Sequence, residues 1–235
     1  FGLSVGASAA KFNALNPNFS SLVSPLESQI HAIKMQSIKL NCANMIGFFD
    51  PKDSLSYEYQ QEFEKIFGSK NIKLITDIYI PPTSQTSACV FVGLNFSKSD
   101  QIISHLSKSK IGYIFGTGDW NMHADELRTY MKSFFKDSID VKVYAPTGWL
   151  SDQNKNSKKF RDDIKNTFSI IANPIGAYAY DAILIGAEML CQSENIETVI
   201  KQGKVKSHLL RNYTGISKTN NLISTMNMVE FKRVK

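Results

Sequence analysis

The chain has 235 residues, of which 43% are hydrophobic and 20% are charged, and its net charge is +6. This length allows one large domain or two smaller lobes, and no apolar run approaches the roughly 20 residues that a membrane helix needs. The excess charge comes from lysines scattered along the chain, without a basic stripe interleaved with aromatic residues. A nucleic-acid partner is therefore not predicted.

The cysteines and histidines do not form a recognisable metal or redox motif. Cys42, Cys89 and Cys191 are far apart and lack a C-x-x-C spacing, and an odd number argues against a disulfide framework. We interpret Cys42 and Cys89 as buried thiols, with one disulfide left open for an oxidising compartment. Asp119 and His123 are four residues apart, but no third ligand lies near them. The sequence predicts neither a metal nor a cofactor.

The first part of the chain alternates strand and helix patterns. A short strand at Phe1–Val5 opens into the small residues Gly6–Ala10, which form either a tight turn or a set of backbone N–H groups for a carboxylate or phosphate. Ser24 is the predicted N-cap of a helix, and Asn44–Phe49 is a predicted strand. The next helix is indicated by apolar residues recurring every four positions, Leu55, Tyr59, Phe63 and Phe67, with Ser54 or Ser56 as its cap.

The middle of the chain predicts a parallel α/β lobe. Its strands are Ile72–Ile80, Ala88–Leu94, Ile111–Phe115 and Val141–Ala145, with helical patterns after the second and third. One connection does not fit, because Ile80 and Ala88 are only seven residues apart, whereas parallel neighbours need a crossover of about a dozen residues or more. Either the two strands are not parallel neighbours or a helix is missing.

The stretch Ile111–Asn121 carries the most chemical information. Its predicted buried strand ends at Gly116-Thr117-Gly118, and Asp119 and Trp120 follow at the carboxyl end. This is the position where α/β sheets bind ligands. A carboxylate beside an aromatic ring suits the ammonium group of a small polar ligand. The alternative is that Asp119 caps the next helix.

The last third begins with a polar bridge, Thr147–Asn156, which is the best linker candidate. A helix face is predicted from Phe160, Ile164, Phe168 and Ile171, and a long helix starts at Asn173-Pro174. The tail at Met226–Phe231 alternates with period two and predicts a strand at a sheet edge.

The chain lacks the motifs of the common α/β enzymes. Gly116-Thr117-Gly118 has two of the three glycines of the dinucleotide fingerprint, and the sequence contains no GxxxxGK[ST] loop, no GxSxG elbow and no HExxH. The sequence therefore predicts a protein that is not an enzyme.

The order of these elements resembles the type I periplasmic solute-binding proteins, in the leucine/isoleucine/valine-binding branch. Each motif is short, and the evidence lies in their order over nearly the whole chain. The stretches that carry the likeness are Leu3–Ser8, Asn44–Asp50, Val90–Phe96, Ile114–Asp119, Ala179–Ala182 and Tyr213–Ile216.

The resemblance implies an α/β, periplasmic-binding-protein-like type I fold, in which two lobes of parallel sheet are flanked by helices. Residues 1–40 and 147–210 would form parts of lobe 1, and residues 41–146 and 211–235 would form lobe 2. The family has about a further hundred residues before the equivalent of Phe1, so the first lobe is expected to be incomplete.

The resemblance also implies a ligand site between the lobes. The ligand's carboxylate would meet the first lobe and its ammonium group would meet Asp119, beside the other second-lobe residues. The full predicted set is Ser4, Gly6, Ala7, Ser8, Asn95, Phe96, Asp119 and Trp120.

The implied function is extracytoplasmic capture of a small solute, such as an amino acid, for the permease of an ABC transporter. Lipid anchoring in the periplasm or outside the cell is compatible with this role. The alternative is a regulatory or sensory module of the same fold, such as a cell-wall-regulating lipoprotein, which acts through a cell-envelope protein partner.

Overall fold

The computed structural model describes residues 2–4, 19–42, 44–74, 88–106, 111–134, 141–192, 195, 198–199, 209, 215–216, 222–223 and 226–232. The strands are β1 (Gly2–Ser4), β2 (Phe19–Ser21), β3 (Asn44–Phe49), β4 (Ile72–Leu74), β5 (Ala88–Val92), β6 (Tyr113–Phe115), β7 (Lys142–Thr147), β8 (Gly215–Ile216), β9 (Leu222–Ile223) and β10 (Asn227–Phe231). The helices are α1 (Leu26–Lys39), α2 (Ser54–Phe67), α3 (Phe96–Leu106), α4 (Ala124–Phe134), α5 (Lys155–Phe168) and α6 (Pro174–Gln192).

The chain divides into two compact units. Unit 1 comprises Phe1–Ser28 and Thr147–Asn227, and unit 2 comprises Gln29–Pro146 and Met228–Lys235. The chain thus passes between the units after residues 28, 146 and 227, whereas the resemblance implied passages after residues 40, 146 and 210.

Unit 2 is built on a six-stranded sheet with the order β10-β7-β6-β5-β3-β4. The pairs β3–β4, β3–β5, β5–β6 and β6–β7 are parallel, and β10 lies at the edge that its alternating sequence predicts. Because β4 and β5 pair with opposite sides of β3, they are not neighbours, which is the first of the two alternatives for the short connection between them. Residues 75–87 of that connection lie outside the described residues.

The inner strands β5 and β6 of unit 2 are apolar along their length, as is typical of strands in a sheet that helices cover. In β5 the consecutive residues Val90, Phe91 and Val92 are all buried, and in β6 Ile114 and Phe115 are buried too. Side chains from α3 and α4 complete this core, including Ile102, Ile103, Leu127 and Met131. The rigid sheet holds the loops at its carboxyl edge.

The turn between β3 and α2 corrects the predicted helix cap. The N-cap of α2 is Asp53, whose Oδ1 accepts a hydrogen bond of 2.9 Å from the backbone N–H of Ser56. Ser56 Oγ instead accepts from the backbone N–H of Asp50 at 2.8 Å. Asp50 Oδ1 accepts from the backbone N–H of Lys52 at 2.9 Å, so the carboxylates of Asp50 and Asp53 both organise this turn, as polar residues after a strand commonly do.

Unit 1 contains the parallel pair β1–β2 and the antiparallel pair β8–β9 among its described residues. Its core packs α6 against the segments around Leu22 and Trp149. The predicted face of α5 is wrong at its end, because the helix stops at Phe168, where Ser169 turns to φ 55°. Phe168 and Ile171 are 63% and 73% exposed.

A buried carboxylate organises unit 1. Asp181, in the middle of α6, is fully buried, and its Oδ1 accepts a hydrogen bond of 2.6 Å from the backbone N–H of Leu209. The carbonyl of Leu209 accepts from Gln153 Nε2 at 2.5 Å and from Ser157 Oγ at 3.2 Å. Asp181, in the Ala179–Ala182 stretch, therefore fixes the backbone at Leu209, because its carboxylate satisfies an amide that would otherwise be buried without a partner.

The interpretation of Cys42 and Cys89 as thiols is wrong, because they form a disulfide with a Cα–Cα distance of 5.8 Å. Cys191 is free and exposed. Across the described parts of the chain, no helix is both long and apolar enough to cross a membrane.

Candidate functional site

The carboxyl edge of the unit 2 sheet brings together the second-lobe residues that the sequence singles out. Asn95 follows β5, and Asp119 follows β6, which is the strand next to β5. Because both strands are parallel, their ends meet at one edge of the sheet, which is where an α/β fold binds ligands.

Asp119 holds the start of α3. Its Oδ2 accepts a hydrogen bond of 2.8 Å from the backbone N–H of Phe96, the first residue of that helix. A carboxylate is favourable there because the first N–H groups of a helix lack intrahelical partners and carry a partial positive charge. Asp119 is therefore a helix cap, but of the preceding helix α3 and not of the following one. Its Oδ1 has no hydrogen bond within the described residues.

The rings of Phe96 and Trp120 belong to the core of unit 2. Phe96 is 2% exposed and stacks on His123 at a centroid distance of 4.8 Å, while Trp120 is fully buried. Trp120 Nε1 donates to the carbonyl of Leu94 at 3.1 Å. Both rings therefore pack within unit 2, and the predicted contacts of Phe96 and Trp120 with a ligand stay predictions.

The strand-to-loop transition after β6 requires glycine at position 116. A Cβ built on Gly116 would lie 2.0 Å from Trp120 Cδ2, within the buried indole. Thr117 Oγ1 donates to the same Leu94 carbonyl that Trp120 binds, at 3.3 Å. These contacts join the ends of β5 and β6, and they set the position of Asp119.

A second set of contacts at this edge involves Gln29 of α1. Its Oε1 accepts hydrogen bonds from Tyr59 Oη at 2.7 Å and from the backbone N–H of Gly118 at 3.3 Å. A Cβ on Gly118 would lie 2.9 Å from that oxygen, so a larger residue there would require the end of the Gln29 side chain to shift. Sequence reasoning missed Gln29, although a polar residue beside Ile30 and Ile33 on the buried face of α1 was a usable signal.

Asn121 completes the loop after β6. Its Nδ2 donates to the carbonyl of Gly118 at 3.1 Å and to that of Pro146 at 2.7 Å, which ties the loop to the end of β7. Its Oδ1 is buried and has no partner among the described residues. Sequence reasoning did not select Asn121, because its partners are backbone atoms that only the folded chain brings close.

One ion pair lies at the same edge. Lys98, in the first turns of α3, contacts Asp53 Oδ2 at 2.5 Å. Partial burial alone would raise the pKa of Asp53, but the Lys98 ammonium and the Ser56 N–H outweigh it and hold that pKa below its usual 3.8. Because Lys98 is about half exposed, this pair contributes little to stability.

The remaining predicted site residues are described only in part. Asn95 is half-buried, and its carbonyl accepts from the backbone N–H of Lys98 at 3.0 Å. Ser4 is the last residue of β1, in unit 1, where it pairs with Ser21 of β2. Gly6, Ala7 and Ser8 lie outside the described residues. No group of three metal-binding side chains occurs in the portion of the chain that is described.

No family model matches the chain, and no curated protein matches it. Several solved structures are similar to this chain. The branched-chain amino acid transporter substrate-binding protein LivJ of Streptococcus pneumoniae, in complex with isoleucine, is similar with a TM-score of 0.66 and 14% identity over 96% of this chain and 68% of LivJ. The leucine-binding protein LivK of Thermotoga maritima has a TM-score of 0.64 and 13% identity over 96% of this chain and 68% of LivK.

An ABC-transporter solute-binding protein of R. palustris in complex with benzoate has a TM-score of 0.62 and 14% identity, over 98% of this chain and 67% of its own. Identities this low establish the fold alone. The resemblance to the type I periplasmic binding proteins is thus confirmed at the level of the fold: this chain has the α/β fold of the substrate-binding proteins of branched-chain amino acid ABC transporters.

Proposed function

We propose that this protein is an extracytoplasmic, non-enzymatic binding protein that captures a small organic acid, in the first place an amino acid, for the permease of an ABC transporter. The observation that carries the proposal is the likeness of nearly the whole chain to several substrate-binding proteins. Fold alone does not determine function, so the solute and the permease remain proposals.

What the similar proteins bind supports this class of solute. Their complexes contain isoleucine, leucine, benzoate and 3,4-dihydroxybenzoic acid. These ligands share a carboxylate on a compact apolar body. Two of them are amino acids, and these also carry an ammonium group that a protein carboxylate can bind by a charge-assisted hydrogen bond.

The carboxyl edge of unit 2 would supply the acceptor for such an ammonium group. Asp119 has one oxygen committed to Phe96 and a second oxygen without a partner among the described residues. Its position is held by the Leu94 contacts of Thr117 and Trp120, so the ligand would meet a carboxylate that is already oriented. The first-lobe contribution of Ser4, Gly6, Ala7 and Ser8 stays a prediction.

A thermal-shift screen tests the proposal. A ligand that binds only the native state stabilises it by RT ln(1 + [L]/Kd), which is about 2.7 kcal/mol at a hundredfold excess over Kd. For a chain of this size we expect a rise in Tm of roughly 5 to 10 °C. Isoleucine, leucine, benzoate and 3,4-dihydroxybenzoate are the probes. If none of them and no other amino acid raises Tm, transport is the wrong function, and the regulatory module that acts through a protein partner takes its place.

A substitution of Asp119 tests whether its carboxylate binds the ammonium group of an amino acid. Asp119→Asn keeps an oxygen to accept from Phe96 but removes the charge. We expect this variant to lose the shift produced by amino acids and to keep any shift produced by benzoate, which has no ammonium group. The matched control is Asp125→Asn, because Asp125 is 75% exposed on α4 and its loss leaves the edge of the sheet unchanged. An amino-acid shift that survives in Asp119→Asn contradicts the ammonium assignment.

A further inference from the structure

The Cys42–Cys89 disulfide joins two backbone positions that are each fixed by other contacts. Cys42 follows the end of α1, where Asn41 adopts φ 53°. The N–H of Asn41 donates to Ile38 O, and that of Cys42 donates to Ser37 O, both at 3.0 Å. This pattern is a Schellman motif, which terminates a helix and holds the residues after it.

Cys89 is anchored by the sheet. It is the second residue of β5 and pairs in register with Met45 of β3 and with Tyr113 of β6. Its side chain is fully buried. The bridge therefore connects the end of a helix to a central strand, at the amino end of that strand.

From this placement we infer that the bridge is a permanent structural bond, that the protein acquires it in an oxidising compartment, and that it stabilises unit 2 without contributing to solute binding. Disulfides form and persist outside the reducing cytosol. The Cys89 side chain is fully buried and the Cys42 side chain is half-buried, which limits the access of thiolates that would exchange the bond. The inference rests on unit 2 alone and does not depend on the proposed solute.

The chemistry is thiol–disulfide exchange with a protein or small-molecule disulfide as the oxidant. The thiolate of one cysteine attacks the oxidant and forms a mixed disulfide, and a thiolate leaves. The second cysteine then attacks the mixed disulfide, the Cys42–Cys89 bond forms, and a second thiolate leaves. The two protein thiols lose two protons and two electrons, and the oxidant is reduced to two thiols.

The separation between bridge and site makes the inference specific. Cys89 lies at the start of β5, whereas Asn95 and Phe96 follow its end. The bond spans 47 residues of sequence, so it constrains the unfolded chain strongly. Removing it should lower Tm and leave the hydrogen bonds at the carboxyl edge intact.

Thiol counting tests the redox state in the source cells. Extracts are quenched with acid, denatured and labelled with a maleimide polymer that retards the protein on a gel. We expect two more labels after reduction than before it, at Cys42 and Cys89. An equal number of labels before and after reduction would overturn the inference, because the bridge would then be absent in the cell.

A thermal comparison tests the structural role. The double variant Cys42→Ser/Cys89→Ala should melt roughly 8 to 16 °C below the wild type, whereas Cys191→Ser, which removes the free thiol, should melt within a degree or two of it. An unchanged Tm in the double variant would refute the stabilising role. Should that variant fail to fold, the wild type is unfolded in urea, reduced with a phosphine and refolded in its presence, and its Tm is compared with that of the oxidised protein, with the same two outcomes. Any solute found in the screen should bind the oxidised and reduced proteins equally, and a loss of binding on reduction would refute the separation of bridge and site.

Discussion

Asp119→Ala should destabilise unit 2, because the structure commits this carboxylate to capping α3. The substitution removes one hydrogen bond of 2.8 Å to the N–H of Phe96 and leaves that N–H without its acceptor. Losing a side-chain cap at a helix start costs about 1 to 2 kcal/mol. For a chain of this length that corresponds to a fall in Tm of roughly 2 to 8 °C.

Asp119→Asn separates the hydrogen bond from the charge. The amide oxygen can accept from Phe96, so only the favourable interaction of a negative charge with the helix terminus is lost, which is about 0.3 to 1 kcal/mol. The expected order of stability is therefore wild type, then Asp119→Asn, then Asp119→Ala. Asp125→Asn, at an exposed surface pair with Arg128, should stay within about 0.5 kcal/mol of the wild type.

The assay is urea unfolding followed by tryptophan fluorescence. The chain has two tryptophans, and Trp120 lies in unit 2 while Trp149 lies in unit 1. In a Trp149→Phe background, the fluorescence of Trp120 reports the unfolding of unit 2. If Asp119→Ala unfolds at the same urea concentration as Asp125→Asn, the capping role is refuted, and Asp119 is free to act wholly on a ligand.

Two further predictions concern Gly116 and Tyr144 of unit 2. Gly116→Ala should destabilise unit 2 by about 1 to 3 kcal/mol, because the new methyl group would overlap the buried indole of Trp120. The control is Gly186→Ala in α6, where a Cβ meets nothing within 4 Å, and it should be neutral or stabilising by up to about 1 kcal/mol. Equal effects of the two substitutions in urea unfolding would contradict the close packing at Gly116. Burial and the neighbouring Glu230 raise the pKa of Tyr144 from 10.0 to about 12. Because the folded state keeps this phenol neutral, the contribution of Tyr144 to the free energy of unfolding is complete below pH 10 and is lost as the pH rises to about 12. Tyr144→Phe should therefore lose less stability than the wild type between these two pH values. Parallel profiles of unfolding free energy against pH for the two proteins would refute the assignment.

Much of the fold follows from local sequence patterns. Asn44–Phe49 was predicted as a strand with the bounds that the structure has, because a buried strand of a covered sheet needs an uninterrupted apolar run. The α2 helix and the edge strand β10 likewise follow from their periodicity. The pattern failed at Phe168 and Ile171, since apolar spacing alone does not reveal that Ser169 turns the chain away.

The position of Asp119 in the fold was predicted from the sequence, but its contacts were not. The position of Asp119 after β6 is a local property of a strand that ends in Gly116-Thr117-Gly118. Its bond to the start of α3 joins residues 23 positions apart. The same holds for Gln29 and Gly118, which are 89 positions apart. No local pattern identifies such partners.

The sequence by itself determined the α/β class, the strands of unit 2 and the edge at which polar residues collect, because hydrophobic periodicity and glycine-rich strand ends are local. Tertiary structure alone decided what those residues do. It made Asp119 the cap of α3, turned Phe96 and Trp120 into core residues, placed Gln29 beside Gly118 and joined Cys42 to Cys89. The physical reason is that each of these roles depends on a partner brought close by strand order and helix packing, which the order of residues along the chain does not contain.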